Sequence, residues 1–92
     1  MVDRALTWTE WCASVAEHLH GRVTAIEHDL RAATWLHPAA AASLHHRCGD
    51  LHHAATALDI TAFDRIERGM RDKLAVERQW ADEDHSRFLF GE

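Results

Sequence analysis

The stretch that decides the fold is residues 7–33, TWTEWCASVAEHLHGRVTAIEHDLRAA. Its apolar positions are Trp8, Trp11, Cys12, Val15, Leu19, Val23, Ile26, Leu30 and Ala33. Placed at about 100° per residue, these fall within an arc of about 120°, the stripe of a helix that buries one face. Glu10, Ser14, Glu17, His28 and Arg31 fall on the opposite side. Thr7-Trp8-Thr9-Glu10 has the Thr-x-x-Glu form of a capping box, which satisfies amide groups left open at a helix start. The spacing predicts a helix over 8–34 with a single seam to bury.

Working outward, Trp35-Leu36-His37-Pro38 ends that helix, because proline disfavours helical geometry in the residue before it. Pro38 suits the first position of a new helix, and Ala39 to Ala42 are strong helix formers. Leu44, Cys48, Leu51, Ala55 and Leu58 then recur at three-four spacing, giving a second helix over 38–58. Beyond Leu58 the stripe rotates by roughly 80° to Phe63, Ile66, Met70, Leu74 and Ala81. Either the chain breaks at Asp59-Ile60-Thr61, with Thr61-x-x-Asp64 capping a third helix, or one long helix continues with a turning face. Both readings place helix over 61–84 and a short tail at 85–92, whose Phe88, Leu89 and Phe90 are expected to dock on the bundle or a partner. The fold class is therefore all-α, an antiparallel hairpin or a three-helix bundle. Its 92 residues form one domain near the lower size limit for a self-sufficient core, so dimerisation into a four-helix-type bundle is expected to complete it.

Charge narrows the partners. Ten Lys and Arg against fifteen Asp and Glu leave a net charge of −5, which speaks against nucleic acid, since phosphate binding needs clustered positive charge. No apolar run approaches the roughly 20 residues that cross a bilayer, so membrane insertion is not expected. The N-terminus lacks the basic start and apolar run of a secretory signal. The expected location is the cytoplasm, or outside by a route that reads no such signal. Cys12 and Cys48 both lie on apolar stripes. A turn at residues 35–38 brings together residues whose numbers sum to about 72, separating the two thiols by roughly 18 Å of helix rise. That is beyond disulfide reach, so both are expected as reduced core thiols.

The residues around the turn, Ala33-Thr34-Trp35-Leu36-His37-Pro38-Ala39-Ala40, resemble those of the Trp-x-Gly helical-hairpin family of small type VII secretion substrates and partner proteins. That family has an amphipathic helix, a turn at Trp-x-Gly often followed by Pro-Ala-Ala, and a second long helix. The overall pattern covers roughly residues 8–84, with specific matches at Trp35 and Pro38 to Ala40. The resemblance implies pairing into a four-helix bundle, and a C-terminal export signal of the form Tyr-x-x-x-Asp/Glu. Trp80 and Asp84 have that spacing and location. The chain departs from the pattern in carrying His37 at the turn glycine and in having no Tyr.

Nine His residues make the remaining unusual feature, densest in His45-His46-Arg47-Cys48-Gly49-Asp50-Leu51-His52-His53. On a helix, His45, Cys48 and His52 project on one side about a turn apart, a donor set and spacing suited to zinc or another transition metal. The metal site is the alternative reading; the expectation is no cofactor and a neutral polar face, one that protonation in mild acid would charge. No Gly-rich phosphate loop, nucleophile elbow or CxxC motif is present, so enzyme activity is not expected. The function expected is that of an interaction module binding a second copy or a small helical partner. Its interface is expected at Trp8, Trp11, Val15, Leu19, Ile26, Leu44, Leu51 and Leu58, with Trp35 and Pro38 shaping the turn.

Overall fold

The structure is a computed structural model that describes the backbone of residues 7–90 and the side chains through residue 83. Three helices occur in order: α1 over Trp8–Ala32, α2 over Pro38–Thr56 and α3 over Ile60–Phe90. The chain thus breaks after α2 rather than continuing as one long helix. No strand occurs among the described residues.

Each boundary has a local cause. The Thr7 hydroxyl accepts a hydrogen bond from the Glu10 amide at 3.1 Å and donates one to the Glu10 carboxylate, so Thr7 caps α1 and the two side chains of the predicted box meet. At the turn, His37 does not need the backbone of a glycine. Its φ of −60° and ψ of 139° are extended geometry, which the following Pro38 favours. Its ring Nδ1 accepts from the Ala39 amide at 3.1 Å, so the imidazole itself caps α2.

The second break is closed at both ends. The Leu58 amide donates to Ala55 O at 3.1 Å and the Asp59 amide to Ala54 O at 2.9 Å, the paired bonds of a Schellman C-cap. Leu58 takes the left-handed conformation there, with φ of 57°. This is a position where Gly is usual and a side chain costs roughly 1–2 kcal/mol. Asp59 then caps α3, its carboxylate accepting from the Ala62 amide at 3.1 Å. The cap is therefore Asp59 rather than Thr61. A carboxylate immediately before the first helical residue reaches the third amide, which Thr61, already inside the helix, does not need to do. At the other end α3 runs to Phe90 instead of stopping near 84, because no Pro or Gly interrupts the chain before Gly91. The Phe88, Leu89 and Phe90 side chains, and with them the expected docking of the tail, lie outside the described residues.

α2 is the central helix, antiparallel to both neighbours. His52 meets His20 and Glu27 across the α1 side, while Arg47 lies against Gly69 on α3. α1 and α3 run parallel, linked by Arg22 to Asp64 and by Asp29 to Arg71. The core between them is continuous: Leu19, Val23, Ile26 and Leu30 from α1, Leu44, Cys48, Leu51, Ala54 and Ala55 from α2, and Phe63 and Met70 from α3, sealed at the turn by Leu36 and Ala40. Fully burying one such large side chain contributes on the order of 2 kcal/mol. No polar or charged residue is fully buried among the described residues, so the apolar core itself holds no charge.

Candidate docking surfaces

Four of the residues expected at an intermolecular interface, Leu19, Ile26, Leu44 and Leu51, are fully buried within a single chain. They form the core of the bundle and are not accessible to a second molecule. The stripe pattern alone does not reveal this, because a helix shows the same periodicity whether its partner is the same chain or another. Leu58 is half-buried in the α2–α3 break, and Val15 is half-buried at the edge of the core. Trp8 and Trp11 alone of the set are exposed, at 75% and 41%.

The reason is register. His20 lies opposite His52, so the last residue of α2, Thr56, comes level with about residue 16 of α1. Ile60, where α3 begins, lies against the same region of α1. The first two turns of α1 therefore project past both neighbours, roughly 12 Å at 1.5 Å per residue. On this projecting segment Trp8 and Trp11 stack with ring centroids 5.2 Å apart. Just below them Trp11, Val15, Leu19 and Ile60 line a groove of about 470 Å3, with Ser14, His18 and Arg22 at its edge.

The opposite end of the bundle projects in the same way. Trp80 and Val76 are exposed on α3 as it passes the turn. Trp35 is half-buried, with the Arg78 guanidinium 5.1 Å from its ring centre. Trp35, Ala40, Trp80 and Ala81 line a hollow of about 540 Å3, where Lys73 and Glu77 pair along α3 at 3.6 Å. Pro38 sits at the start of α2 and is exposed. Trp80 is thus on the surface, while the Asp84 side chain lies outside the described residues.

Between the two ends the α1–α3 seam is ionic. Arg22 donates to Asp64 at 2.9 Å and to Glu67 through two of its nitrogens, and its guanidinium carbon lies 4.8 Å from the centre of the Phe63 ring. Hydrogen bonding to Glu67 raises the Arg22 pKa further above its ordinary value, and partial burial opposes that rise. This network was not foreseen from the sequence. The signal available was a lone Arg near the apolar stripe of α1 and two acidic residues at i and i+3 on α3.

The histidine cluster is dispersed by the same packing. Cys48 faces the core, and burial raises its thiol pKa, with the nearby Glu27 carboxylate adding to the rise. His45 is exposed to solvent. His52 turns to α1, its Nε2 3.5 Å from Glu27 and its ring centre 6.0 Å from that of His20. The expected trio of His45, Cys48 and His52 is therefore not assembled, since burying the thiol directs the two imidazoles elsewhere. Among the described residues no group of three or more His, Cys, Asp or Glu side chains is placed to hold a metal ion. Cys12 and Cys48 are both free thiols, half-buried and buried respectively. No helix among the described residues is long and apolar enough to cross a membrane.

Fold and surface together define a three-helix bundle in which α2 packs between α1 and α3, with apolar, tryptophan-bearing ends. No protein-family model, curated protein or solved structure matches this chain.

Proposed function

We propose that this chain is a helical protein–protein interaction module that docks through the ends of its bundle. The observation that carries the reading is the stacked pair Trp8 and Trp11, held in the open beyond the last turn of α2. Large aromatic side chains left exposed on an otherwise well-packed small domain are the usual anchors of a protein interface. The ionic α1–α3 seam favours docking at the ends over insertion of a fourth helix along the side, because a fourth helix would have to desolvate Arg22, Asp64 and Glu67.

The likeness of the Trp35 turn to the Trp-x-Gly family makes a type VII secretion-like substrate or partner the specific form of this role. The exposed Trp80 supports it by leaving its export-signal-like position accessible to a receptor.

The test is immunoprecipitation of the chain from cells that produce it, comparing wild type with the Trp8→Ala/Trp11→Ala double variant. A defined partner, including a tagged second copy of the chain, is expected with the first and lost with the second. A partner profile indifferent to both tryptophans would overturn the reading. For the secretion role, Trp80→Ala is expected to abolish appearance of the chain outside a cell that has such a system.

A further inference from the structure

We infer that the uncovered start of α1 is a self-docking surface, and that its occupant is the same segment of a second copy in antiparallel register. This rests on the interaction-module reading and names the partner of one of its two ends. Trp8, Trp11, Cys12 and Val15 continue the stripe that Leu19, Val23 and Ile26 bury inside the bundle, so the exposed part is a helix seam lacking only its helix. A second amphipathic helix is the element that fits such a seam.

Charge selects which helix. At about 100° per residue, the positions flanking this seam are Thr9 and Ala16 on one side and Ser14 and His18 on the other. Glu10 and Glu17 point away from it by the same geometry. Arg22, which also lines the groove, is already held by Asp64 and Glu67, so a strongly charged partner finds no uncommitted counter-charge among the described residues of the contact. A second α1 brings an equally uncharged seam, and antiparallel pairing centred between residues 11 and 12 sets Glu10 across from Ala13, with no carboxylate facing another.

Shape agrees. In that register Trp8 of each copy comes opposite Val15 of the other, at the groove of about 470 Å3 that Val15, Leu19 and Ile60 line. Each copy thus offers both the side chain that fills and the groove that is filled, as a two-fold contact requires. In that register the parts of the two bundles beyond residue 16 extend from the contact in opposite directions. The surface joined is a few side chains per copy, well below the roughly 800 Å2 per partner of a standard stable interface. The pairing is accordingly weak and reversible.

Light scattering on the purified full chain, run from micromolar to millimolar concentration, reads this directly. The mass is expected to rise with concentration from the 10.5 kDa monomer towards a dimer. Trp11→Glu is expected to remain monomeric with unchanged helical circular dichroism, while Trp80→Glu self-associates as wild type does. A short bismaleimide is expected to join two copies through Cys12. A monomer at every concentration, or association that survives Trp11→Glu, overturns the proposal. If the purified chain stays monomeric while a photo-crosslinker at position 11 captures a different protein in cells, self-pairing is wrong and the module reading stands. If neither experiment gives a product, both are wrong.

Discussion

Arg22 on α1 holds Glu67 on α3 through two nitrogens of its guanidinium, joining two helices whose cores meet only across α2. Glu67 keeps only 13% of its side chain exposed, so it depends on this partner for a counter-charge. Arg22→Met keeps the aliphatic stem but strands the carboxylate, and is expected to cost about 2 kcal/mol, the range for a hydrogen bond to a charged group. Arg22→Lys is expected to recover only part, because an ammonium cannot match the fork. Arg71→Ala, which removes the well-exposed pair with Asp29, should stay within about 0.5 kcal/mol of wild type. Urea denaturation distinguishes these; equal losses at positions 22 and 71 would show that burial of Glu67 is irrelevant.

The break between α2 and α3 depends on Asp59 in two ways. Its amide closes the C-cap of α2, and its carboxylate opens α3. Asp59→Ala keeps the first bond and deletes the second, for an expected loss of about 1 kcal/mol. Thr61→Ala, by contrast, is expected to change stability little. Thermal unfolding of the two variants decides which residue caps the helix: a larger loss from Thr61→Ala would reverse the assignment.

The all-helical class and the first helix with its turn were legible, because the stripe and the stop signal there lie in the residues themselves. Residues 7–33 show one continuous arc, and Pro38 fixes the turn. The stripe shift after Leu58 pointed to a break without deciding it, because Leu is a poor sign of a left-handed C-cap. Which apolar residues face inward was legible too. Whether they face the same chain or another was not, since that depends on where α2 ends relative to Trp8, a register set by packing over the whole bundle. The same limit dissolved the histidine set: His45, Cys48 and His52 share a helix face by spacing, yet Cys48 is drawn into the core by Leu44 and Leu51, and His52 is left beside Glu27.

Gly21 and Gly49 sit inside helices with open space around the position a Cβ would take. Replacing either with Ala removes backbone freedom from the unfolded chain without meeting an obstacle, for an expected gain of up to about 1 kcal/mol each. The two sites lie on different helices and make no shared contact, so the gains should add. A rise in melting temperature of roughly 4–8 °C per kcal/mol is the expected readout. A loss at position 49 would show that this glycine has a structural role other than filling a helix position.

Cys48 gives the fold a dependence on alkaline pH. Burial among Leu44, Leu51 and the α1 stripe raises its thiol pKa, with Glu27 contributing further, whereas the unfolded chain titrates in the ordinary thiol range near 8.5. The folded state therefore retains the proton that the unfolded state loses. Stability from this group is fully present below the unfolded pKa and is lost as pH rises towards and through the folded one. Chemical denaturation at pH 7 and pH 10 is expected to show a decline that Cys48→Ala removes, on top of that variant's own loss of packing. Alkylation gives an independent readout: Cys12 should react readily under native conditions, while Cys48 reacts only as fast as the bundle opens. Equal reactivity of the two thiols in the folded protein would mean that α2 does not hold Cys48 against α1 as described.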